Sequence, residues 1–300
     1  REVRHRLGQL TNWLDYLIDL GCNGMLLNPI FSSSSHGYDT LDHYQIDSRL
    51  GDESDFGELM WKAKERGIRI LLDGVFNHLG RDHPVVQRAL AAGPGTPDGD
   101  WLRWVNGYPR VFEGHEALVE LDFTNPAVQN FVVDVMCHWL ERGVDGFRLD
   151  AVKHINDQFV KDFVETIRAQ HGDDFYVVGE YWKYKYGAIK EYLEATEFTF
   201  DLFDVALHQN FHVASQQGKD YDLRELFKQT LIAKNPTHAV TFVDNHDSQP
   251  GQALQSFVEP WFKPLAYGVT LLREQGFPCL FYGDYYGIKG ANPVDGQQTF

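Results

Sequence analysis

Residues 143–154 read GVDGFRLDAVKH, and this stretch decides the fold. Residues 144–149 predict a short buried strand, and the strand ends on a carboxylate, Asp150. Apolar residues recur at helical spacing over 128–140, before the strand, and again over 159–167, after it. A strand that lies between two helices and ends on an acid is the place where α/β proteins carry their functional side chains.

Arg148 lies two residues before Asp150, so both side chains point to the same side of the strand. A cation beside a carboxylate in a closed site keeps the carboxylate ionised. An ionised and oriented aspartate is what a nucleophile requires. The same two residues would equally form a structural ion pair at the end of a strand, and this segment alone leaves both interpretations open.

The composition sets the class of protein. Three hundred residues with 43% apolar composition suffice for one large core, such as a single α/β barrel. The net charge of −16 argues against a nucleic-acid backbone or an anionic membrane as the main partner. These residues contain no signal-peptide pattern. The compartment, extracellular or cytoplasmic, and the oligomeric state therefore remain open.

The remaining strands alternate with helices. Strands are predicted at residues 24–31, 68–75, 175–179, 239–243 and 279–282, with a further apolar segment at 198–205, and helices include residues 56–66, 223–231 and 261–273. This alternation predicts parallel strands covered by helices. We expect a (β/α)8 TIM-type barrel that lacks its first strand and last helix.

Residues 79–124 interrupt this alternation. They lack clear periodicity, are rich in Gly, Pro and Asp, and are too long for an ordinary loop. We therefore expect residues 1–78 and 125–300 to form the catalytic barrel and residues 79–124 to form a short inserted subdomain, with no C-terminal β-domain.

Polar residues gather where the predicted strands end. They are His36, Tyr38 and Asp39; Asp73, Asn77 and His78; Arg148, Asp150, Lys153 and His154; Glu180, Tyr181 and Trp182; and Asp244, Asn245, His246 and Asp247. The carboxyl ends of parallel barrel strands meet on one rim, so this pattern predicts an active site. Asp73, inside its strand, is expected to be structural, and Asp244 to be a neighbour of the site.

Three chemistries compete for this rim. A metal hydrolase would need His ligands at HxH or HExxH spacing, which the sequence does not contain. A serine or cysteine nucleophile would need its own flanking motif, which is also missing. Cleavage of a glycoside needs two carboxylates, one ionised and one protonated. Aromatic faces and imidazoles at such a site would also bind a sugar. Glycoside cleavage therefore fits the residues on this rim best.

Four segments carry a resemblance to a known family. DGVFNH (73–78), GFRLDAVKH (146–154), GEYW (179–182) and FVDNHD (242–247) resemble the four ordered signature regions of the α-amylase family, the retaining (β/α)8-barrel glycoside hydrolases of family 13. The first half of the chain is nearer to neopullulanases and maltodextrin-acting enzymes, and the second half to bacterial liquefying α-amylases. A fragment or a recombinant chain is the expectation.

The resemblance implies a role for each matching residue. Asp150 would be the nucleophile, Glu180 the general acid/base, and Asp247 the third acid, which holds the distorted sugar. Substrate-binding roles are implied for Tyr38, His78, Arg148, Lys153, His154, Trp182 and His246. His78 and His246 would bind hydroxyls of the sugar that is cleaved, and Lys153, His154 and Trp182 would meet the leaving-group sugars. The chemistry requires no cofactor, although Asn77 and the backbone carbonyl of His154 match calcium contacts in many α-amylases.

The function implied by the resemblance is retaining, endo-type hydrolysis of α-1,4-glucosidic bonds in starch, glycogen or maltodextrins. Two other functions stay open. One is transglycosylation or cyclomaltodextrinase-neopullulanase activity with the same three acids, and the other is an inactive fragment that only binds sugar. The sequence does not give chain-length or branch specificity.

Overall fold

The computed structural model describes residues 5–287, 290–291 and 298–299. The chain forms two compact units, Arg1–Val177 and Val178–Phe300, and the boundary falls inside one strand, Tyr176–Gly179. Within the described residues, no helix is both long enough and apolar enough to span a membrane.

The first unit contains both parallel strands and short antiparallel pairs. Its strands are β1 (Gly24–Leu27), β2 (Phe31–Ser33), β3 (Thr40–Ile46), β4 (Arg69–Gly74), β5 (His78–Gly80), β6 (Trp104–Val105), β7 (Tyr108–Pro109), β8 (Leu118–Glu120) and β9 (Gly146–Leu149). Its α-helices are α1 (Leu7–Thr11), α2 (Leu14–Asp19), α3 (Glu53–Glu65), α4 (Pro84–Ala92), α5 (Pro126–Glu141) and α6 (Asp157–His171). Single 3₁₀ turns occupy Gly99–Trp101, Phe112–Gly114 and Val152–His154.

β4 lies between β1 and β9 and is parallel to both. All four residues of β9 are buried, which explains why the strand is an unbroken apolar run apart from Arg148. Gly146 is required at the start of β9, because a Cβ there would lie 2.0 Å from the Tyr176 carbonyl oxygen.

Trp139 of α5 is the centre of the core of the first unit. Its side chain is fully buried between Phe31 and Phe56, with ring centroids 5.3 Å away in each case. Its indole nitrogen donates a hydrogen bond of 2.8 Å to the His43 carbonyl. Asn125 begins the helix by accepting a hydrogen bond from the Ala127 amide.

The predicted insertion, 79–124, contains two antiparallel pairs. In one, β5 pairs with β8, and His78 is opposite Glu120. In the other, β6 pairs with β7. Glu120 is buried and lies 3.0 Å from the Arg110 side chain, so an ion pair balances the buried charge of the β5–β8 pair. The division into barrel and insertion stays a prediction.

The second unit repeats the parallel arrangement. Its strands are β10 (Tyr176–Gly179), β11 (Asp201–Phe203), β12 (Ala239–Phe242), β13 (Phe277–Cys279), β14 (Gly290–Ala291) and β15 (Gln298–Thr299). Its α-helices are α7 (Tyr186–Ala195), α8 (Val205–Gln217), α9 (Leu231–Lys234), α10 (Lys263–Leu272) and α11 (Tyr282–Tyr286), with 3₁₀ turns at Gly218–Asp220, Leu223–Glu225 and Pro236–His238. β10 through β13 pair in sequence order and all in parallel. The parallel strands with intervening helices in both units confirm the predicted α/β class.

Three predicted elements differ from the structure. The first strand ends at Leu27 rather than residue 31, because Asn28 precedes Pro29, which cannot donate a hydrogen bond. The helix predicted over 223–231 is wrong, since Gln229 has a φ of 56° and separates a 3₁₀ turn from α9. The strand predicted over 279–282 lies at Phe277–Cys279, and the aromatic residues that follow it form α11.

His43 gives the first testable prediction. Burial among aromatic rings lowers the pKa of His43 to about 3, so its neutral form is favoured in the folded state. In the unfolded chain His43 binds a proton below pH about 6.5, whereas in the folded chain it stays neutral. The contribution of neutral His43 to the free energy of unfolding is therefore complete above that pH and is lost as pH falls.

The advantage of the wild type over His43→Phe in free energy of unfolding should therefore shrink by about 2 kcal/mol between pH 7 and pH 5. Urea denaturation at both pH values measures it. Tyr44→Phe, on the same strand, is the control and should show a constant difference. A constant difference for His43→Phe as well would contradict the prediction.

Candidate active site

Asp150 follows β9 directly and is only 6% exposed. The next residue, Ala151, is buried with a φ of 48° and a ψ of 39°, which is the left-handed region. This conformation costs an alanine about 1–2 kcal/mol. The chain thus leaves the strand through a strained turn immediately after the proposed nucleophile, a location at which strain often accompanies function.

Arg148 joins two buried carboxylates. One guanidinium nitrogen, Nη1, lies 2.7 Å from Asp73 Oδ1 and 2.8 Å from Asp150 Oδ1. Burial raises the pKa of Asp73, the Arg148 charge opposes the rise, and the Asp150 charge adds to it. The sequence predicted the Arg148–Asp150 pair and expected Asp73 to be structural, and the structure shows the contact behind that role: Asp73 holds the guanidinium from the neighbouring strand.

Tyr38 and His78 extend this group. The Tyr38 hydroxyl donates to Asp73 Oδ2 at 2.9 Å, and the Tyr38 carbonyl lies 3.0 Å from His78 Nε2. A carbonyl only accepts, so Nε2 carries the proton and Nδ1 faces the Asn77 amide at 3.4 Å. Burial lowers the pKa of His78. Both of its ring nitrogens are engaged by the protein, and its contact with sugar stays a prediction.

Lys153 and His154 are joined by Glu113, a residue that the sequence did not single out. Glu113 Oε1 lies 3.0 Å from Lys153 Nζ and 3.3 Å from His154 Nε2. Burial alone would raise the pKa of Glu113, but the Lys153 and His154 charges outweigh it, so the pKa is lowered. The neighbouring ring of Phe112 stacks on His78, with ring centroids 4.7 Å apart.

In the second unit, Glu180 follows β10 and is 7% exposed, so it occupies a strand end as predicted. Trp182 is also 7% exposed and packs with Val205 and Phe242 in an apolar cluster. Its indole nitrogen donates to the Tyr184 hydroxyl at 3.0 Å. Only a small edge of this ring is left for a ligand, and the predicted sugar contact of Trp182 stays a prediction.

His246 and Asp247 lie in a turn organised by their neighbours. Asn245 Oδ1 accepts hydrogen bonds from the amides of Asp247 (3.0 Å) and Ser248 (2.9 Å). His246 Nε2 lies 3.3 Å from Asp247 Oδ2, and both side chains are partly exposed. The turn is therefore preformed and presents an acid and an imidazole side by side.

Asp244 holds this turn through contacts with Ser248 and Lys263. Its fully buried carboxylate accepts from the Ser248 hydroxyl at 2.8 Å and lies 2.9 Å from Lys263 Nζ in α10. Burial raises the pKa of Asp244 to about 6, with a contribution from the Asp284 charge and an opposing one from Lys263. Asp244 is thus a structural neighbour of the predicted site residues, which matches its expected place.

The predicted calcium contacts are the Asn77 side chain and the backbone carbonyl of His154. Calcium prefers carboxylate oxygens, but the carboxylate that contacts His154 is Glu113, which Lys153 already neutralises. Among the described residues, the one group of three suitable side-chain ligands is formed by His5, Asp52 and Asp55. Neither observation reaches the Asn77 amide or the His154 carbonyl, so the calcium contacts stay a prediction, and no chemical step is assigned to calcium.

The first unit combines parallel β/α structure with a buried arginine–carboxylate group at a strand end, the arrangement of a barrel hydrolase. The chain belongs to the α-amylase family, since the model of the alpha-amylase catalytic domain matches residues 6–299.

Two curated relatives show how the resemblance is distributed. The chain is 56% identical over 146 residues to a glucan 1,4-alpha-maltohexaosidase of Bacillus sp. (strain 707), covering 49% of this chain and 28% of that enzyme. It is 32% identical over 366 residues to the cytoplasmic alpha-amylase of Escherichia coli (strain K12), covering 97% of this chain and 73% of that enzyme. The chain thus spans less than a third of the length of the first relative.

A solved structure supports the fold. The chain is similar to cyclic alpha-maltosyl-(1→6)-maltose hydrolase from Arthrobacter globiformis in complex with maltose, with a TM-score of 0.79 and 26% identity. The match covers 98% of this chain and 69% of that one. The predicted (β/α)-barrel class is therefore confirmed, whereas the assignment of the two halves to different branches of the family stays a prediction.

The buried position of Arg148 gives the second prediction. Arg148→Met would leave Asp73 and Asp150 buried without a counter-charge, and we expect the free energy of unfolding to fall by about 3–5 kcal/mol. Arg69→Met is the control, because Arg69 pairs at 3.9 Å with the exposed Asp174 and should cost under about 1 kcal/mol. Chemical denaturation at pH 7 measures both. Equal losses would show that the Arg148 group does not stabilise the fold.

Proposed function

We propose that the chain is a retaining, endo-type glycoside hydrolase that cleaves α-1,4-glucosidic bonds in starch, glycogen or maltodextrins. The observation that supports this most is the Asp73–Arg148–Asp150 group. It provides a carboxylate that is buried, oriented by a guanidinium and located at the end of a parallel strand. Membership of the α-amylase family supplies the substrate class.

In the proposed first step, a carboxylate oxygen of Asp150 attacks the anomeric carbon while the bond to the leaving oxygen breaks. Glu180 donates its proton to that oxygen, and a covalent glycosyl ester on Asp150 results. Arg148 balances the charge of Asp150 before attack, and Asp73 keeps the guanidinium in place. The preformed turn at Asp247 would hold the sugar through its hydroxyl groups.

In the second step, Glu180 is a carboxylate and takes a proton from water. The water oxygen bonds to the anomeric carbon from the face that the leaving group vacated, and the ester to Asp150 breaks. Two inversions at one carbon give net retention, so the first product should be the α-anomer. Proton magnetic resonance of a fresh digest measures the anomer, and release of the β-anomer would contradict the mechanism.

A second candidate is action on cyclic glucans or transfer to a sugar acceptor with the same three acids. The likeness to a hydrolase named for a cyclic maltosyl-maltose favours it. Comparing turnover of soluble starch with turnover of a cyclodextrin separates the two: a preference for the cyclodextrin would favour the second candidate.

The third prediction concerns the nucleophile. Asp150→Asn should lower turnover of soluble starch by about four orders of magnitude or more, because the amide cannot form the ester. Asp173→Asn changes an exposed aspartate and is the control. Reducing-sugar release measures activity, and circular dichroism checks that both variants fold. Substantial activity in a folded Asp150→Asn protein would exclude Asp150 as the nucleophile.

The fourth prediction concerns the acid. Glu180→Gln should lower turnover of soluble starch by about 10²–10⁴-fold, because the leaving oxygen then departs without a proton. Formation of the glycosyl ester from an aryl glycoside with a good leaving group should fall much less, since that group needs little assistance.

Pre-steady-state release of the aryl group measures this first step, and Glu191→Gln, an exposed change on α7, is the control. An equal loss of ester formation on both substrates would show that Glu180 does not act as the acid.

A further inference from the structure

We propose that Glu113 is a specificity-determining residue on the leaving-group side of the sugar site, and that Phe112 forms an aromatic wall beside it. The proposal rests on the proposed function, because that function defines the leaving-group side through Lys153 and His154. Neither Glu113 nor Phe112 belongs to a signature region of the family.

Glu113 contacts two predicted sugar-binding residues through one atom. One carboxylate oxygen, Oε1, receives both Lys153 (3.0 Å) and His154 (3.3 Å). Both printed distances end on Oε1, and 39% of the Glu113 side chain is exposed, so the carboxylate is within reach of a ligand. Glu113 therefore fixes two groups that would face a sugar and offers an acceptor to a hydroxyl.

Phe112 packs against two predicted sugar-binding histidines. Its ring lies 4.7 Å from the ring of His78 in a stacked arrangement and 5.1 Å from His154 in an edge arrangement. His78 is expected to contact the sugar that is cleaved, and His154 the sugar that leaves. Phe112 thus lies between two predicted sugar positions, and a half-buried aromatic ring there offers a flat apolar surface.

The backbone at Glu113 adopts a left-handed conformation. Glu113 has a φ of 48° and a ψ of 29°, and Gly114 follows with a φ of 86°. Glycine or asparagine would adopt this conformation more readily than glutamate. A glutamate in a left-handed turn whose side chain reaches two predicted sugar-binding residues is an outlier that indicates function.

These contacts define a ligand chemistry. A carboxylate oxygen beside an ammonium offers an acceptor and a donor close together, which suits two adjacent hydroxyls of a glucose unit. Such a pair would bind the departing sugar in the first step and an incoming sugar acceptor in the second. Glu113 should therefore favour substrates with glucose units beyond the bond that is cleaved.

The test compares two substrates. Maltopentaose places glucose units on the leaving-group side, whereas an aryl maltoside places only an aromatic group there. For Glu113→Gln, the ratio of kcat/KM for maltopentaose to that for the aryl maltoside should fall about tenfold relative to the wild type, the effect of one charged hydrogen bond. The yield of transfer product with added maltose should fall as well.

Glu116→Gln is the matched control, because it changes an exposed glutamate of the same segment and should leave the ratio unaltered. An equal loss on both substrates, or no change in the ratio, would overturn the proposal while leaving wild-type hydrolysis intact. Absence of α-anomeric products from the wild type, or full activity in Asp150→Asn, would instead remove the proposed function and this inference with it.

Discussion

The buried guanidinium of Arg148 is the constraint on which the first unit depends. Its register partner in β4 is Asp73, and a cation removed from water needs such a counter-charge beside it. A slip of one residue between β4 and β9 would turn Asp73 or Arg148 to the other face. The charge pair therefore fixes the register of the two strands, and that register determines where Asp150 emerges.

The polar groups that surround this pair continue the same logic. The Tyr38 hydroxyl donates a hydrogen bond to Asp73 Oδ2, and His78 Nε2 donates one to the Tyr38 carbonyl. Each added residue satisfies a group that the previous one would leave buried without a partner. The predicted roles in binding sugar would thus fall on side chains that already hold one another in place, a form of preorganisation that enzymes use to reduce the cost of binding.

Much of the fold and part of the site could be predicted from the sequence. Buried strands such as β9 and amphipathic helices such as α5 and α6 follow from apolar spacing and capping residues. The pairing of Arg148 with Asp150 follows from their spacing of two. The resemblance to the α-amylase family located the acids, because its motifs are local in sequence.

Other features of the fold and the site depend on contacts between residues that are distant in sequence, and residue spacing does not reveal such contacts. Asp73 resembled an ordinary strand residue, and its value arises only from pairing with a strand 75 positions away. Phe112 and Glu113 lie in a segment without periodicity, where a glutamate before a glycine gives little warning of a left-handed turn. The helix expected over 223–231 was lost because local apolar content does not reveal a positive φ at Gln229.

The left-handed conformation of Ala151 has a further consequence for substitutions at this position. A glycine there would relax the backbone and allow the adjoining carboxylate more freedom, whereas a β-branched residue would strain the turn further. The backbone strain at Ala151 and the orientation of the Asp150 side chain are thus coupled through the φ and ψ angles of one residue. A substitution at this position would therefore change the backbone strain and the orientation of the neighbouring carboxylate together.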